Sequence, residues 1–218
     1  MSRKKIIFVV PDGTGIRNYL FSQIIPNLLK QNVELLIYHG LSDDAILEVE
    51  KLHNVKLVKK TLSKYKETFL QKFYREAICY ARLNYNTSIE NNPTILTNWK
   101  RNFKGVKKWF YKLIEVFGKQ ISSDYSKILR LEEKYQKLLK ESIHAEIEFL
   151  KQFKPDVLFC THQRAINAIP VFKAADVLGI HTVGAIYSWD NLVKARLSIR
   201  TKKYIVCLLY TSPSPRDA

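Results

Sequence analysis

The 218-residue sequence holds only three cysteines, far apart at Cys79, Cys160 and Cys207. No CxxC pair is present, which sets aside a disulfide framework and the usual zinc spacings and fits a reducing, cytoplasmic setting. No apolar run approaches the ~20 residues that span a bilayer. Ile6-Ile-Phe-Val-Val10 follows a basic start, but Pro11-Asp-Gly-Thr-Gly15 interrupts it too early for a signal peptide. Internal repeats and natural low-complexity tracts are lacking. Acid is short too: 20 Asp and Glu stand against 36 Lys and Arg, a formal net charge of +16. What remains is a globular composition, 46% hydrophobic and 26% charged, long enough for one or two domains with a buried core.

The positive excess attracts anions, so nucleic acid, anionic lipid and phosphorylated substrates are all candidate partners. Charge alone does not choose among them.

The apolar pattern reads as an α/β fold: a Rossmann-like parallel sheet with helices on both faces. Lys5–Val10 is a β-branched run expected to form a buried strand. Ile16, Leu20, Ile24 and Leu28 follow at helical spacing, with Pro26 expected to kink that helix. Val33–Tyr38 reads as a second strand, Asp43–Leu52 as a helix and Val55–Val58 as a short third strand. This order implies right-handed βαβ crossovers. Residues 61–121 break the rhythm and read as a basic helical insertion. Within it, Ser63–Tyr85 looks helical and Asn84–Pro93 looks like a loop. Asp124–Phe153 reads as one long amphipathic helix, packed across the sheet rather than in a coiled coil, because Ser142 and Glu146 interrupt the heptads. Alternation then resumes with strand Val157–Cys160, helix Ala165–Leu178 carrying Pro170 inside and Gly179 as its cap, strand His181–Tyr187, and the start of a strand at Lys203–Val206.

Ligands of open α/β sheets bind beyond the carboxyl ends of the strands, and four loops fall there. Pro11-Asp-Gly-Thr-Gly-Ile-Arg-Asn18 is a Gly-rich turn that can offer backbone N–H groups to a phosphate or let a sugar approach. It lacks the third glycine of GxGxxG and the Lys-Ser/Thr of a P-loop, and a tight turn without a ligand is the alternative. Cys160-Thr-His-Gln-Arg164 offers His162 as a general base and Arg164 as an anion partner; a histidine that merely caps or packs is the alternative. Ser188-Trp-Asp-Asn191 offers a stacking ring and directional hydrogen bonds, or else an Asx turn with a packed Trp. His39-Gly40 reads as structural.

Lys100–Lys112 holds six basic residues and no acid, interleaved with Phe103, Trp109, Phe110 and Tyr111. It reads as a helix with a packed aromatic face and solvated lysines. An anionic membrane surface is the next reading, and nucleic acid the least favoured.

The opening strand with DGTGIRNYLFS, together with the later IYSWDNL, resembles GT-B-like proteins of bacterial surface-carbohydrate biosynthesis. That group is similar to GT-B glycosyltransferases, nucleotide-sugar 2-epimerases and glycerophosphate transferases. The resemblance covers residues 4–40 and 155–206, and SWDNL is its more specific motif. It departs after that motif, where Val193-Lys-Ala-Arg196 stands in place of a small-residue step. The resemblance implies the N-terminal half of a two-domain enzyme that uses neither a cofactor nor a catalytic metal. This half would hold a glycan or lipid-linked acceptor, and a second Rossmann domain would grip a nucleotide-sugar donor. Asp12, Gly13, Gly15, Arg17 and Asn18 would line the cleft from one loop. His162 as catalytic base, Arg164, Trp189, Asp190 and Asn191 would line it from the others. Localisation would be cytoplasmic, with peripheral contact on the inner face of the membrane. A 2-epimerase or glycerophosphate transferase is the alternative enzyme, and a basic module binding membrane or RNA the alternative without catalysis.

Cys207-Leu-Leu-Tyr-Thr-Ser-Pro-Ser-Pro-Arg-Asp217 matches one translated frame of a common transposase sequencing adaptor, residue for residue. Residues Cys207–Ala218 are therefore expected to be foreign, with the gene continuing past Val206 and this fragment inactive alone.

Overall fold

The computed structural model describes residues 3–99, 103–186 and 194–206. In chain order its regular elements are β1 (Lys4–Val10), α1 (Ile24–Lys30), β2 (Val33–His39), α2 (Asp43–His53), β3 (Val58–Thr61), α3 (Phe69–Ile89), α4 (Val106–Ile121), α5 (Tyr125–Leu139), α6 (His144–Phe153), β4 (Val157–Cys160), α7 (Ile169–Val177), β5 (His181–Ile186) and β6 (Lys203–Val206), joined in places by short 3₁₀ turns. They group into two compact bodies.

The first body is the expected α/β fold. Six parallel strands form one sheet in the order β3-β2-β1-β4-β5-β6, a Rossmann-like order. The central strands alternate their buried side chains between two faces. Phe8, Val10, Leu35, Ile37 and Phe159 point to one face, where Leu20, Ile25 of α1 and Ile46 and Val49 of α2 cover them. Tyr38 points the other way and meets Phe149 of α6, their rings 5.0 Å apart. Each fully buried Ile or Phe in such a core contributes about 1.5–3 kcal/mol of transfer free energy.

Several elements differ from their sequence patterns, each for a local reason. The helix expected from Ile16 is not continuous. Gly13–Gly15 is a 3₁₀ turn, Ile16–Leu20 a π-helical turn, and α1 begins only at Ile24. Pro26 then lies in the first turn of α1, where its missing N–H breaks no helical bond, so it causes no kink. The third strand lies three residues later than Val55–Val58. Asn54 ends α2 in a left-handed conformation, and the Glu50 carboxylate accepts the Leu57 N–H at 2.9 Å, so 55–57 serve as the connection. The strand proper is an exposed edge carrying Lys59 and Lys60, which discourages further pairing. Pro170 sits at the start of α7, after a 3₁₀ turn at Ile166–Ala168, rather than inside the helix. Gly179 does cap α7. With φ +70° it places its own N–H on the Asp176 carbonyl and the Ile180 N–H on the Ala175 carbonyl, a Schellman arrangement.

The second body is helical and spans 66–140 with 194–198 of the described residues. α3 begins at Phe69, not Ser63, because Thr68 and Gln71 form a reciprocal capping box. It also runs into the polar stretch Asn84–Pro93 read as a loop, ending at Ile89 and leaving a short connection at 90–92. Asn84 donates to the Ser122 hydroxyl at 2.7 Å, and Thr87 donates back to the Leu83 carbonyl at 2.8 Å. α4 and α5 pack on α3, the first through a ladder of rings that includes Phe73, Phe110 and Phe117. Gly118 allows the close crossing, since a Cβ there would lie 2.7 Å from the Tyr80 ring.

The single helix expected over Asp124–Phe153 is two helices. α5 ends at Leu139, a 3₁₀ turn covers Lys140–Ser142, and α6 begins at His144. The break coincides with the boundary between bodies: α5 belongs to the helical body, and α6 packs on the sheet.

Candidate functional site

β1 has β2 on one side and β4 on the other. The chain leaves β1 toward α1 and leaves β4 toward α7, which packs with α6 on the opposite face. Connections that diverge to opposite faces open a crevice at the carboxyl ends of the two strands.

Asp12 stands at the end of β1 in an extended conformation. Its Oδ1 accepts the Thr14 N–H at 3.0 Å and caps the turn Gly13–Gly15. That leaves Oδ2 for His162, whose Nδ1 lies 2.6 Å away. His162 is fixed from its own side. Thr161, fully buried, directs both its N–H (3.1 Å) and its hydroxyl (3.3 Å) at the Val9 carbonyl and ties the exit of β4 to β1. Buried Gln163 donates to the Ile199 carbonyl at 2.8 Å. It fits only because residue 184 is glycine, where a Cβ would stand 2.4 Å from Gln163 Oε1.

Burial pushes the Asp12 carboxyl up, but hydrogen bonds from His162 and Thr14 outweigh it and hold the group below its usual range. An ionised Asp12 accepts, so His162 Nδ1 carries a proton and, in the neutral ring, Nε2 carries the lone pair. The His162 side chain is 16% exposed and Asp12 41%, and His162 Nε2 itself is out of solvent contact. The geometry is that of a histidine base oriented by a carboxylate.

His39 ends β2 opposite Val10. Burial holds it below its ordinary pKa, hence neutral near pH 7, and its Nδ1 is buried with no hydrogen-bond partner among the described residues. Gly40 then presses against β1. Its N–H donates to the Val10 carbonyl at 2.9 Å, and a Cβ there would lie 2.4 Å from the Pro11 oxygen.

Of the residues singled out in the sequence, the fold joins Asp12 and His162 directly. Gly13 and Gly15 form the turn between them and the π-helical turn, on which Arg17 and Asn18 are exposed. That turn does not lead into a regular α-helix, so no long helix dipole is aimed at it. Arg164 lies half-buried in the same turn as His162. Trp189, Asp190 and Asn191 lie outside the described residues, although Ile186 before them ends β5. Gly40 matches its reading as structural, whereas Thr161 and Gln163 had no sequence signal as supports. Their roles depend on strands brought together from distant parts of the chain. Among the described residues no cluster of three His, Cys, Asp or Glu is arranged to hold a metal ion.

The second body carries a different polar cluster. Arg75 grips Glu67 with two bonds of 2.6 and 2.8 Å and reaches Glu76 at 2.9 Å, while Arg196 approaches Glu76 at 3.7 Å. Arg82 pairs with Glu132 at 2.8 Å and donates to the Leu197 carbonyl at 2.6 Å. These arginines are matched by carboxylates and fasten the segment 194–198 to α3, which makes the cluster structural.

Comparison with family models, with curated proteins and with solved structures gives no match.

Proposed function

We propose that this chain forms the acceptor-side wall of a GT-B-type glycosyltransferase, with His162 as general base and Asp12 as the residue that orients it. The observation that carries the reading is the 2.6 Å Asp12–His162 pair at the switch point of a parallel sheet. An acceptor hydroxyl would donate to His162 Nε2. As its oxygen bonds to the anomeric carbon of the sugar, the proton moves to Nε2, and the bond from that carbon to the nucleotide phosphate breaks with its electron pair on the leaving phosphate. The Asp12 carboxylate stabilises the imidazolium that forms. Because Nε2 is out of solvent contact, the acceptor has to displace what covers it. The net charge of +16 suits a phosphorylated donor, whose nucleotide would be held by a second Rossmann domain.

The test is turnover by the complete protein with a panel of nucleotide sugars and lipid-linked glycan acceptors, products being weighed by mass spectrometry. His162→Ala is expected to lower kcat by about 10²–10⁴-fold with substrate affinity kept. Asp12→Asn is expected to lower it substantially as well, through loss of the oriented tautomer. Full turnover by His162→Ala excludes the assigned base. A product that leaves the acceptor mass unchanged excludes sugar transfer.

A further inference from the structure

α4 packs one side on α3 and leaves the other without a partner among the described residues. Tyr111, Ile114 and Gly118 are buried, whereas Val106, Trp109, Leu113 and Val116 are 86, 73, 62 and 50% exposed. At 3.6 residues per turn these four lie within one arc of roughly 80°. They form a continuous apolar ridge rather than scattered surface residues, and such ridges mark interaction surfaces. Phe69, at the start of α3, lies beside it with its ring 5.0 Å from Phe110 and is itself mostly exposed.

The charges around the ridge are mainly positive, with Lys112 also 4.0 Å from the Glu115 carboxylate. Lys108, Lys112 and Lys119 follow one flank, and Lys72 stands over the Phe110 ring on the other at 5.9 Å. Glu115 is the one acid of the helix. It sits off the ridge, where its carboxylate accepts the Trp99 indole N–H at 3.0 Å. No helix among the described residues is long and apolar enough to cross a membrane. An apolar stripe with an interfacial Trp and a lysine border is instead the pattern of a helix lying in the plane of a membrane surface.

We propose that the exposed face of α4 docks this protein onto an anionic lipid bilayer, with Val106, Trp109, Leu113 and Val116 entering the headgroup boundary and Lys108, Lys112 and Lys119 meeting lipid phosphates. Charge complementarity favours an anionic surface, and the aliphatic ridge favours lipid over nucleic acid. Single-stranded nucleic acid needs rings free to stack on bases. Here Trp109 and Phe69 are the exposed rings, whereas Tyr111 is buried against Trp99 and Phe117 meets Phe73 of α3. The inference is independent of the Asp12–His162 pair, so Asp12→Asn leaves docking intact.

The experiment is co-sedimentation with vesicles of phosphatidylcholine alone and of phosphatidylcholine mixed with phosphatidylglycerol, over a salt series. The wild-type chain is expected on the mixed vesicles only, with binding that weakens as salt rises. At about 1 kcal/mol per lysine near an anionic surface, the triple variant Lys108→Glu, Lys112→Glu, Lys119→Glu is expected to lose at least roughly 100-fold in partition. Trp109→Ser with Leu113→Ser is expected to lose about tenfold or more. All these side chains are exposed, and unchanged circular dichroism confirms folding of each variant. Brominated acyl chains are expected to quench tryptophan emission in the wild type, with quenching lost in Trp109→Phe. Absence of binding to mixed vesicles overturns the proposal, as does equal binding to neutral ones. So does binding of a homopolymeric RNA that these substitutions abolish while vesicle binding survives. A self-associating chain that Trp109→Ser makes monomeric, without vesicle binding, overturns it as well.

Discussion

Gly40→Ala tests how tightly the site is held by the strand beside it. The glycine is required for space, since its backbone is not in the left-handed region. An added Cβ would stand 2.4 Å from the Pro11 oxygen and 3.2 Å from its carbonyl carbon, where ordinary contact begins near 3.4 Å. The end of β2 and the Pro11 turn must therefore part by about 1 Å, a forced overpacking of the kind that costs about 1–3 kcal/mol. The 2.9 Å bond from Gly40 N–H to the Val10 carbonyl is stretched by the same movement. Its loss adds about 1 kcal/mol. Reduced freedom of the unfolded chain returns about 0.4–1 kcal/mol, leaving a net destabilisation of about 1–3.5 kcal/mol. The displaced Pro11 carries Asp12 with it, and a 2.6 Å bond lengthened by about 1 Å is no longer a hydrogen bond. Urea denaturation measures the first effect. The Nδ1 proton of His162, followed by ¹⁵N-edited NMR, measures the second. A destabilisation under about 0.5 kcal/mol together with an unshifted His162 proton would refute this account of Gly40.

Asp12→Asn removes a carboxylate whose pKa is lowered in the fold. Its stabilisation is present above the ordinary carboxylate range and is lost as pH falls through the lower folded value. The variant is therefore expected to be less stable than wild type near pH 7, with the two denaturation midpoints converging as pH falls below the ordinary carboxylate range. Glu76→Ala removes one of the carboxylates held by Arg75, which keeps its two bonds to Glu67, and is expected to cost about 1–3 kcal/mol, read from the thermal or urea midpoint. Cys160 is fully buried and its thiol is pushed up to about 12 by that burial. In a Cys207→Ser background neither Cys160 nor buried Cys79 is expected to react with a thiol reagent at pH 8 until the chain unfolds; rapid labelling would contradict the packing of β4. Gly179→Ala is expected to lower stability by about 1 kcal/mol from its positive φ alone, because nothing lies within 4 Å of the new Cβ.

The inner strands were legible in the sequence because they are short apolar runs bounded by turn residues, as in Lys5–Val10 and Val157–Cys160, whereas the polar edge strand at Val58–Thr61 was not. The Schellman cap at Gly179 was legible for the same kind of local reason. Ser142 and Glu146 also signalled the truth in part. They excluded a coiled coil, and they stand where the apolar stripe changes phase between α5 and α6. What stayed hidden was the end of that helix at Leu139, since helix propensity continues through Lys140–Ser142 while packing on a different body takes over at Ile143 and Leu150. The π-helical turn at Ile16–Leu20 left no trace, because its apolar spacing mimics an α-helix. Both members of the Asp12–His162 pair were visible as cleft residues, yet their contact was not, since it depends on β1 pairing with β4 across the chain.

That pairing bears on how the fold tolerates change. Asp12 and His162 are 150 residues apart, and about half of the intervening chain is the helical body of 66–140. Loop-closure entropy grows only with the logarithm of length, so halving such a separation alters the closure cost of the β1–β4 junction by about 0.6 kcal/mol. Evolution could therefore swap, enlarge or trim the helices between β3 and α6 almost freely, in thermodynamic terms, while keeping Asp12 facing His162.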